Sequence, residues 1–503
     1  MKFPKLRLIV SGLVLSLGSY QANAETNTDT TTDNIKPNIV LIISDDMGRQ
    51  DLASYGSDFH ESPNLTQLAS EGMQFNNTYV SHPRCVPSRI GFMSGQSPTR
   101  TGSSLANHKL NALPLAKVTF AEHLQQAGYS TGFIGKWHLG KKADGWPKAQ
   151  GFDESILAAS AGAPDSYFYP WGAKSKKGKQ TFGSAKGTKG EFLTDRMNTE
   201  ALSFIERHKK EPFLLVLSHY AVHTPIESLG KDTDYFTDKL KKMDRKPVKG
   251  QKQYDLESDG TGISLQKTLQ NHPTYAAMVK SVDDSVGKLN AKLKALGLDK
   301  NTIVIFTSDH GGLSSRGPKL RELATSNLPY KHGKGWLYDG GIRVPHIIKW
   351  PGVVAANSES DVQVTGTDHY PTILEAAGLA LSPQDHLDGV SYVKAAKGEN
   401  YTREPMFWHS PISRPNSTGD RISSAVIDGD WKLINWYQDG FVELFNLKDD
   451  LGENNNIAKQ NPEKVKQLKA KLDAWLIDAN AQYRKPGKKM KWDLPKPIKV
   501  SAK

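Results

Sequence analysis

Only one residue of 503 is a cysteine, Cys85. That scarcity excludes an intrachain disulfide framework, and a chain this long can bury a conventional hydrophobic core without one. Long apolar runs are also scarce. The one near the N-terminus, LIVSGLVLSLG, is too short for a membrane-spanning helix, which needs ~20 apolar residues. No other segment approaches that length. HExxH and CxxC spacings are missing, which argues against the commonest zinc sites. So are zinc-finger and RNP-type motifs, which argues against nucleic acid as a partner. The chain carries no internal repeat.

What is present begins with a leader. Lys2, Lys5 and Arg7 precede the apolar run, and ANA follows it, ending at Ala24. This order predicts a signal peptide over 1–24, cleaved near Ala24, and a mature protein in the periplasm or outside the cell with no stable membrane insertion. In such an oxidising compartment an unpaired thiol is either a small buried apolar residue or a reactive group. The formal net charge is +12, and GAKSKKGKQTFGSAKGTKG (172–190) has six lysines and no acid. KLKKMDRKPVKGQK (239–252) and the tail after Tyr483 are similarly basic. These stretches read either as solvated loops or as a surface that attracts a polyanion. Export removes nucleic acid as the polyanion.

After a threonine-rich spacer, PNIVLIISDD reads as a buried strand with Asp45 and Asp46 at its C-terminal end. VTFAEHLQQAGY reads as a helix with Thr119 and Glu122 as a capping box and Gly128 as its stop. It feeds the strand STGFIGKWH. EPFLLVLSHYAVHTP is a further strand, YAAMVKSVDDSVGKLNAKLKALG an amphipathic helix, and NTIVIFTSDHGG the strand after it. Alternating strands and helices predict an α/β fold with a large, mostly parallel sheet flanked by helices. Ligands of such sheets bind beyond the strand C-terminal ends. After LDGVSY (387–392) the chain turns strand-rich and ends in the helix NPEKVKQLKAKLDAWLIDAN. The expected domains are therefore 25–385, large and catalytic, and 386–503, a smaller α+β unit with an antiparallel sheet.

Polar residues collect at these strand ends: Asp45 and Asp46; Cys85 with Arg89; Lys136, Trp137 and His138; Asp309 and His310. His223 in HTP and Lys334 in KHGKGW join them. Singly, each has an ordinary structural explanation, such as a helix cap or a solvated lysine. Together, three carboxylates suit a hard cation, Ca²⁺ or Mg²⁺, and the cationic side chains suit an anionic ester.

The segment CVPSRIGFMSGQSPTRTG resembles the CxPSR signature of the formylglycine-dependent sulfatases, a branch of the alkaline phosphatase superfamily. The resemblance extends through PNIVLIISDDMG, GYSTGFIGKWHLG, TIVIFTSDHGG, GGIRVP and LFNLKDDLGENNN. It implies that a maturating enzyme oxidises Cys85 to formylglycine, whose hydrated aldehyde attacks sulfur and then expels sulfate by collapsing back to the aldehyde. The lone cysteine would then need no partner, because the working group is not a thiol. Pro87, near the first turn of a following helix, would place that nucleophile at the positive end of a helix dipole.

The resemblance further implies that Asp45, Asp46, Asp309, His310 and the modified Cys85 hold Ca²⁺. Arg89 and Lys136 would orient the nucleophile, with Lys136 also reaching substrate. Lys334 and His223 would bind sulfate and protonate the leaving oxygen, and His138 would take the proton that triggers elimination. His310 departs from the pattern, since many relatives have Asn there and an imidazole is a softer ligand.

The lysine-rich stretches point to a sulfated oligo- or polysaccharide, an algal galactan such as carrageenan or a glycosaminoglycan. SYFYPWG (166–172) and WHSPISR (408–414) offer aromatic rings either for stacking on sugars or for core packing. Two other readings stay open: a phosphonate or phosphate monoester hydrolase, and a non-catalytic polyanion-binding protein.

Overall fold

The computed structural model describes residues 36–105, 112–140, 146–171, 186–246, 256–258, 264–319, 321–437 and 440–483. The expected signal peptide, most of the lysine-rich stretch 172–190, the end of 239–252 and the basic tail lie outside the described residues. In chain order the strands are β1 (Asn38–Ser44), β2 (Met73–Tyr79), β3 (Ser130–Gly135), β4 (Glu154–Ile156), β5 (Phe213–Ser218), β6 (Leu256–Ser258), β7 (Leu265–Lys267), β8 (Thr302–Ser308), β9 (Ser315–Arg316), β10 (His346–Lys349), β11 (Ser358–Thr365), β12 (Met406–Ser410), β13 (Ser423–Asp428), β14 (Trp431–Trp436) and β15 (Phe441–Asn446). The helices are α1 (Pro63–Ser70), α2 (Cys85–Ser94), α3 (Phe120–Gln126), α4 (Leu193–Arg207), α5 (Gly230–Lys242), α6 (Pro273–Ala295), α7 (Asp339–Ile342), α8 (His369–Ala376), α9 (Val393–Ala396) and α10 (Pro462–Asp478).

Eight strands form one sheet in the order β11-β2-β10-β8-β1-β5-β3-β4. Every pairing is parallel except those of β10, which runs against both β2 and β8. The hydrophobic run of β1 explains its central place. Val40 and Ile42 enter one core layer while Ile39, Leu41 and Ile43 enter the other, so both faces are covered. Helices α1, α4 and α6 pack on the first face, and α2, α3 and α8 on the second. Each buried Val, Leu or Ile contributes about 1.5–3 kcal/mol, which makes the sheet a rigid platform for whatever its C-terminal ends carry.

Local signals act as the sequence predicts. The Thr119 hydroxyl accepts from the Glu122 N–H at 3.2 Å, the Glu122 carboxylate accepts from the Thr119 N–H at 2.7 Å, and Gly128 ends the turn at φ +85°. Helix α6 starts two residues before the expected Tyr275, because Pro273 fits its first turn and the His272 ring caps the Tyr275 N–H.

Strands β12 to β15 form an antiparallel meander. Its alternation places Trp408, Ile427, Ile434 and Trp436 against Phe92, Trp336 and Tyr338, and Val426, Leu433, Val442 and Leu444 against α10. The segment just after 386 behaves differently. Tyr392, Ala395 and Ala396 pack in a layer of the large sheet, and the antiparallel sheet begins only at Met406. The described residues form one compact unit. None of their helices is long and apolar enough to cross a membrane.

Candidate active site

Four parallel strands deliver their C-terminal residues to one point. Asp45 and Asp46 follow β1, Lys136 and His138 follow β3, His223 lies in the loop after β5, and Asp309 and His310 follow β8. Asp46 and His138 both take positive φ, +63° and +59°, a conformation that costs a non-glycine residue energy and is concentrated at functional sites. Cys85 is the first residue of α2, two residues earlier than Pro87, so its side chain sits where the helix dipole is positive. Arg89 is one turn further along.

Ten of the eleven residues gathered from the sequence meet here, while Trp137 turns into the core layer of the second face. The Cys85 Sγ lies 3.2 Å from His310 Nε2, 3.5 Å from Lys334 Nζ and 3.9 Å from Asp45 Oδ1, and it is hydrogen-bonded to His138. Lys334 Nζ donates to both Asp46 oxygens at 2.7 and 2.9 Å. His310 Nε2 is 3.2 Å from Asp46 Oδ1 and 3.6 Å from Asp309 Oδ1, and its Nδ1 faces the Gly311 carbonyl at 3.0 Å. Lys136 Nζ donates to Asp45. Arg89 donates from Nε to Asp309 at 2.9 Å and from Nη1 to the Lys136 carbonyl and the Ser218 hydroxyl at 2.9 and 2.7 Å. His223 Nε2 approaches Asp46 at 3.8 Å, while its Nδ1 donates to the Thr224 carbonyl at 2.7 Å.

The cluster is almost closed to water: Asp45, Lys136, Asp309 and His310 are 0 % exposed. Charge is therefore expensive and every partner counts. Burial works to raise the Cys85 thiol, but Lys136, Lys334, His310 and the His138 hydrogen bond overcome it and hold the group well below its usual range. Burial raises Asp45, and the neighbouring Asp309, Cys85 and Asp46 add to the rise against the pull of Lys136. Asp46 and Asp309 go the other way. Burial opposes them too, but Lys334 with His223 and His310 dominates at Asp46, and His310 with Arg89 at Asp309. Burial lowers His223 to about 4 and also lowers His138. His310 is raised by Asp309, Cys85 and Asp46 in spite of burial.

Two donor sets converge: Asp45, Cys85, Asp309 and His310, and Asp46, Cys85 and His223. Three repelling carboxylates held around one point, with few neutral donors between them, fit an oxygen-preferring divalent cation.

Sequence reasoning missed several neighbours. Ser218, at the end of β5, locks Arg89. The Tyr167 hydroxyl bonds the Tyr220 and His223 carbonyls at 2.7 and 2.9 Å and fixes that loop. Tyr167 and Trp171 are core residues at 0 and 2 % exposure, so these two rings of the segment pack in the core, with Phe168 and Tyr169 partly buried against it. Trp408 is likewise buried, bonding the Val80 carbonyl at 2.7 Å.

A rigid α/β sheet that gathers a buried thiol, imidazoles, ammonium groups and three carboxylates at its strand ends is a framework suited to hydrolysis of an anionic ester. The chain belongs to the sulfatase family, whose members hydrolyse sulfuric esters: the Sulfatase family model matches residues 37–379, and the model for the C-terminal part of N-sulphoglucosamine sulphohydrolase matches 331–482. It is 30 % identical to a sulfatase of Formosa agariphila over 95 % of this chain and 94 % of that one. It is 32 % identical to the N-acetylgalactosamine-6-sulfatase of Rattus norvegicus over 74 % of this chain and 68 % of that one. Among solved structures it superimposes on Ps i-CgsB in complex with k-i-k-neocarrahexaose with a TM-score of 0.72, at 28 % identity, covering 88 % of this chain and 93 % of that one.

Proposed function

We propose that this protein is a formylglycine-dependent sulfatase that removes sulfate from a sulfated oligo- or polysaccharide, an algal galactan such as carrageenan or a glycosaminoglycan, in the periplasm or outside the cell. The observation that carries the mechanism is Cys85 at the start of α2, within 3.2–3.9 Å of a carboxylate, an imidazole and an ammonium. The carbohydrate class draws support from the relatives that act on N-acetylgalactosamine 6-sulfate and from the neighbour bound to a neocarrahexaose.

Once converted, residue 85 supplies a hydrated aldehyde, a nucleophile with its own route to release sulfate. Helix α2 is buried along its whole length, so a formylglycine-generating enzyme would have to act on CVPSR before that helix is packed. Asp45, Asp46, Asp309 and His310 would hold Ca²⁺, which supplies Lewis-acid polarisation of a sulfate oxygen.

The chain's own residues account for the rest. Lys334, anchored on Asp46 and facing residue 85, holds a sulfate oxygen. Arg89, fixed through Nε and Nη1 by Asp309, Lys136 and Ser218, and Lys136, fixed by Asp45, keep residue 85 oriented. His223 points Nε2 into the site because Nδ1–H is committed to Thr224; the negative charge of bound sulfate favours its protonated form, and that proton passes to the leaving oxygen. His138 is kept neutral by burial and touches residue 85, which suits it to accept a proton there.

Mass spectrometry of the peptide spanning residue 85, paired with sulfate release from a panel of galactan and glycosaminoglycan oligosaccharides, tests this reading. Thiol-to-aldehyde conversion with release from a panel member is the expected result. Full conversion with release only from aryl phosphate or phosphonate esters would replace it with the phosphorus-ester reading. Binding without turnover of any ester, unaffected by Cys85→Ala, would leave a polyanion-binding protein.

A further inference from the structure

Beside the sulfate-binding residues lies a second group of cations that the mechanism does not use. Arg84 immediately precedes Cys85 and caps α2. Its Nη2 donates to Asp420 at 2.5 Å, while Nε and Nη1 lie buried with no hydrogen-bond partner. The Arg84 side chain is 9 % exposed. Asp420 is itself shared: it accepts from the Arg414 backbone N–H at 3.2 Å and from the Thr418 hydroxyl. The Arg414 side chain is exposed and, among the described residues, makes no hydrogen bond or ion pair. Arg321 reaches the same loop, donating to the Ser417 hydroxyl at 3.2 Å. Of these three arginines only Arg84 bonds Asp420 through its guanidinium, while Arg414 meets it through the backbone N–H and Arg321 reaches Ser417 of the same loop. The excess is felt within the set: Arg84, then burial, pushes Arg414 below its usual range, and Arg321 adds to the push against the pull of Asp420 and Cys85.

The group is tied to the reaction centre through the residue after Lys334. The Gly335 N–H donates to the Pro83 carbonyl at 2.8 Å, and Gly335 sits at φ +99° with Asp420 Oδ1 only 2.8 Å from where a Cβ would stand. Trp336 Nε1 donates to the Thr418 carbonyl at 3.0 Å. The loop 414–420 therefore packs against the two residues that follow Lys334, which brings Arg414 and the Asp420–Arg84 pair to one wall of the site. A structural role for Arg84 would end at Asp420, and it explains neither the two unused donors nor the unpaired Arg414.

We propose that Arg84, held by Asp420, forms with Arg414 and Arg321 a second oxyanion subsite that binds a further sulfate or carboxylate on the substrate, next to the sulfate that is cleaved. Guanidinium forks match both groups in bidentate fashion. The inference deepens the carbohydrate-sulfatase reading and rests on it for the nature of the substrate. It makes this wall of the pocket select doubly anionic sugars over singly sulfated ones.

The test is calorimetric titration of the Cys85→Ala protein, which binds without turnover, with matched saccharides carrying one sulfate, two sulfates, or one sulfate and one carboxylate. The expected result is that one of the two-anion ligands binds about tenfold or more tightly than the one-anion ligand. The larger of the two ratios names the source of the second charge. Adding Arg414→Ala or Arg84→Gln should bring that ratio close to one, and Arg414→Lys should keep part of it. Arg414 is exposed, so its variants report even where Arg84→Gln disturbs α2. A ratio near one in the parent protein, or one unchanged by both arginine substitutions, overturns the subsite. Sulfate release by the converted wild type from the same saccharides is read separately. No release alongside an arginine-dependent ratio leaves the subsite standing and removes the carbohydrate-sulfatase reading.

Discussion

Two buried charge clusters in this protein use the same residue types to opposite ends. At the strand ends, Asp45, Asp46 and Asp309 crowd around Cys85 with Lys136, Lys334, Arg89 and His310. Under the antiparallel sheet, Lys432 of β14 bridges Asp339 of α7 and Glu453, each at 2.7 Å, and Glu453 also accepts the Asp339 N–H at 2.6 Å. Arg343 completes that group from 3.3 Å. Lys432, Asp339 and Glu453 are as buried as the active-site acids, at 0 % exposure. The second cluster is closed on itself, and all its partners are within the chain. The first is arranged so that repelling oxygens share one point and cationic donors face the same thiol. Burial alone therefore does not mark a functional site; convergence on an external group does.

The two clusters are mechanically joined. The Gly311 N–H, next to His310, donates to the Gly341 carbonyl of α7 at 3.0 Å, and the Gly340 N–H donates to the Lys331 carbonyl at 3.1 Å. The Lys432 group thus holds the short helix that supports both the His310 turn and the Lys334 loop. This contrast predicts that one cluster can be dismantled with loss of chemistry and little loss of stability, and that the other behaves in reverse.

The largest effect is expected at residue 85. Cys85→Ala should abolish sulfate release, a loss of about 10⁴-fold or more, while leaving the thermal midpoint close to wild type, since it removes one small side chain from a crowded polar site. A variant that kept measurable turnover would end the nucleophile assignment.

Lys432→Met should do the opposite. Removing the one lysine leaves Glu453 buried without a cation and Asp339 with Arg343 alone, which costs about 3–5 kcal/mol. Denaturant unfolding measures this, and adding Glu453→Gln and Asp339→Asn should recover part of the loss. An unchanged midpoint would mean that the cluster is not held by its charges.

A smaller shift is expected from the metal. If the strand-end carboxylates hold Ca²⁺, supplying it at one hundred times its Kd should stabilise the protein by about 2.7 kcal/mol, a rise in melting temperature that a chelator reverses. Asp45→Asn or Asp309→Asn should blunt the response, whereas Lys432→Met, in so far as it folds, should retain it. Identical melting curves with and without chelator would count against the cation.

Much of the first cluster was legible in the sequence and almost none of the second. Strands β1, β3, β5 and β8 are apolar runs ending abruptly in polar residues, and a parallel sheet brings those ends together, so local pattern sufficed to gather Asp45, Lys136, His223 and Asp309. Lys334 was gathered with them by residue type, and its role came from the family resemblance, since nothing in its loop marks it as facing Cys85. The strand β10 was not foreseen, because HIIK is four residues long and its antiparallel course is set by its neighbours. Lys432, Asp339 and Glu453 are separated by up to 114 residues, and each read alone is an ordinary surface charge. The aromatic segment 166–172 left core and sugar contact open, and only the packing of Tyr167 and Trp171 separated them.

The smallest expected effect concerns how tightly the second cluster is closed. Burial pushes Glu453 up to about 7, with Asp339 adding to the rise and Lys432 opposing it. An unfolded glutamate releases its proton near 4.5, so between that pH and about 7 the native state holds more protons than the unfolded one. Stability from this group is then fully present below about 4.5 and declines as pH rises through about 7. The decline is best read as the difference between wild type and Glu453→Gln, which cancels titrations elsewhere. A difference that stays flat from pH 4 to 8 would show Lys432 offsetting the whole desolvation cost of Glu453, which would make the second cluster a complete ion pair and sharpen its contrast with the strand-end carboxylates, whose oxygens and cations converge on Cys85.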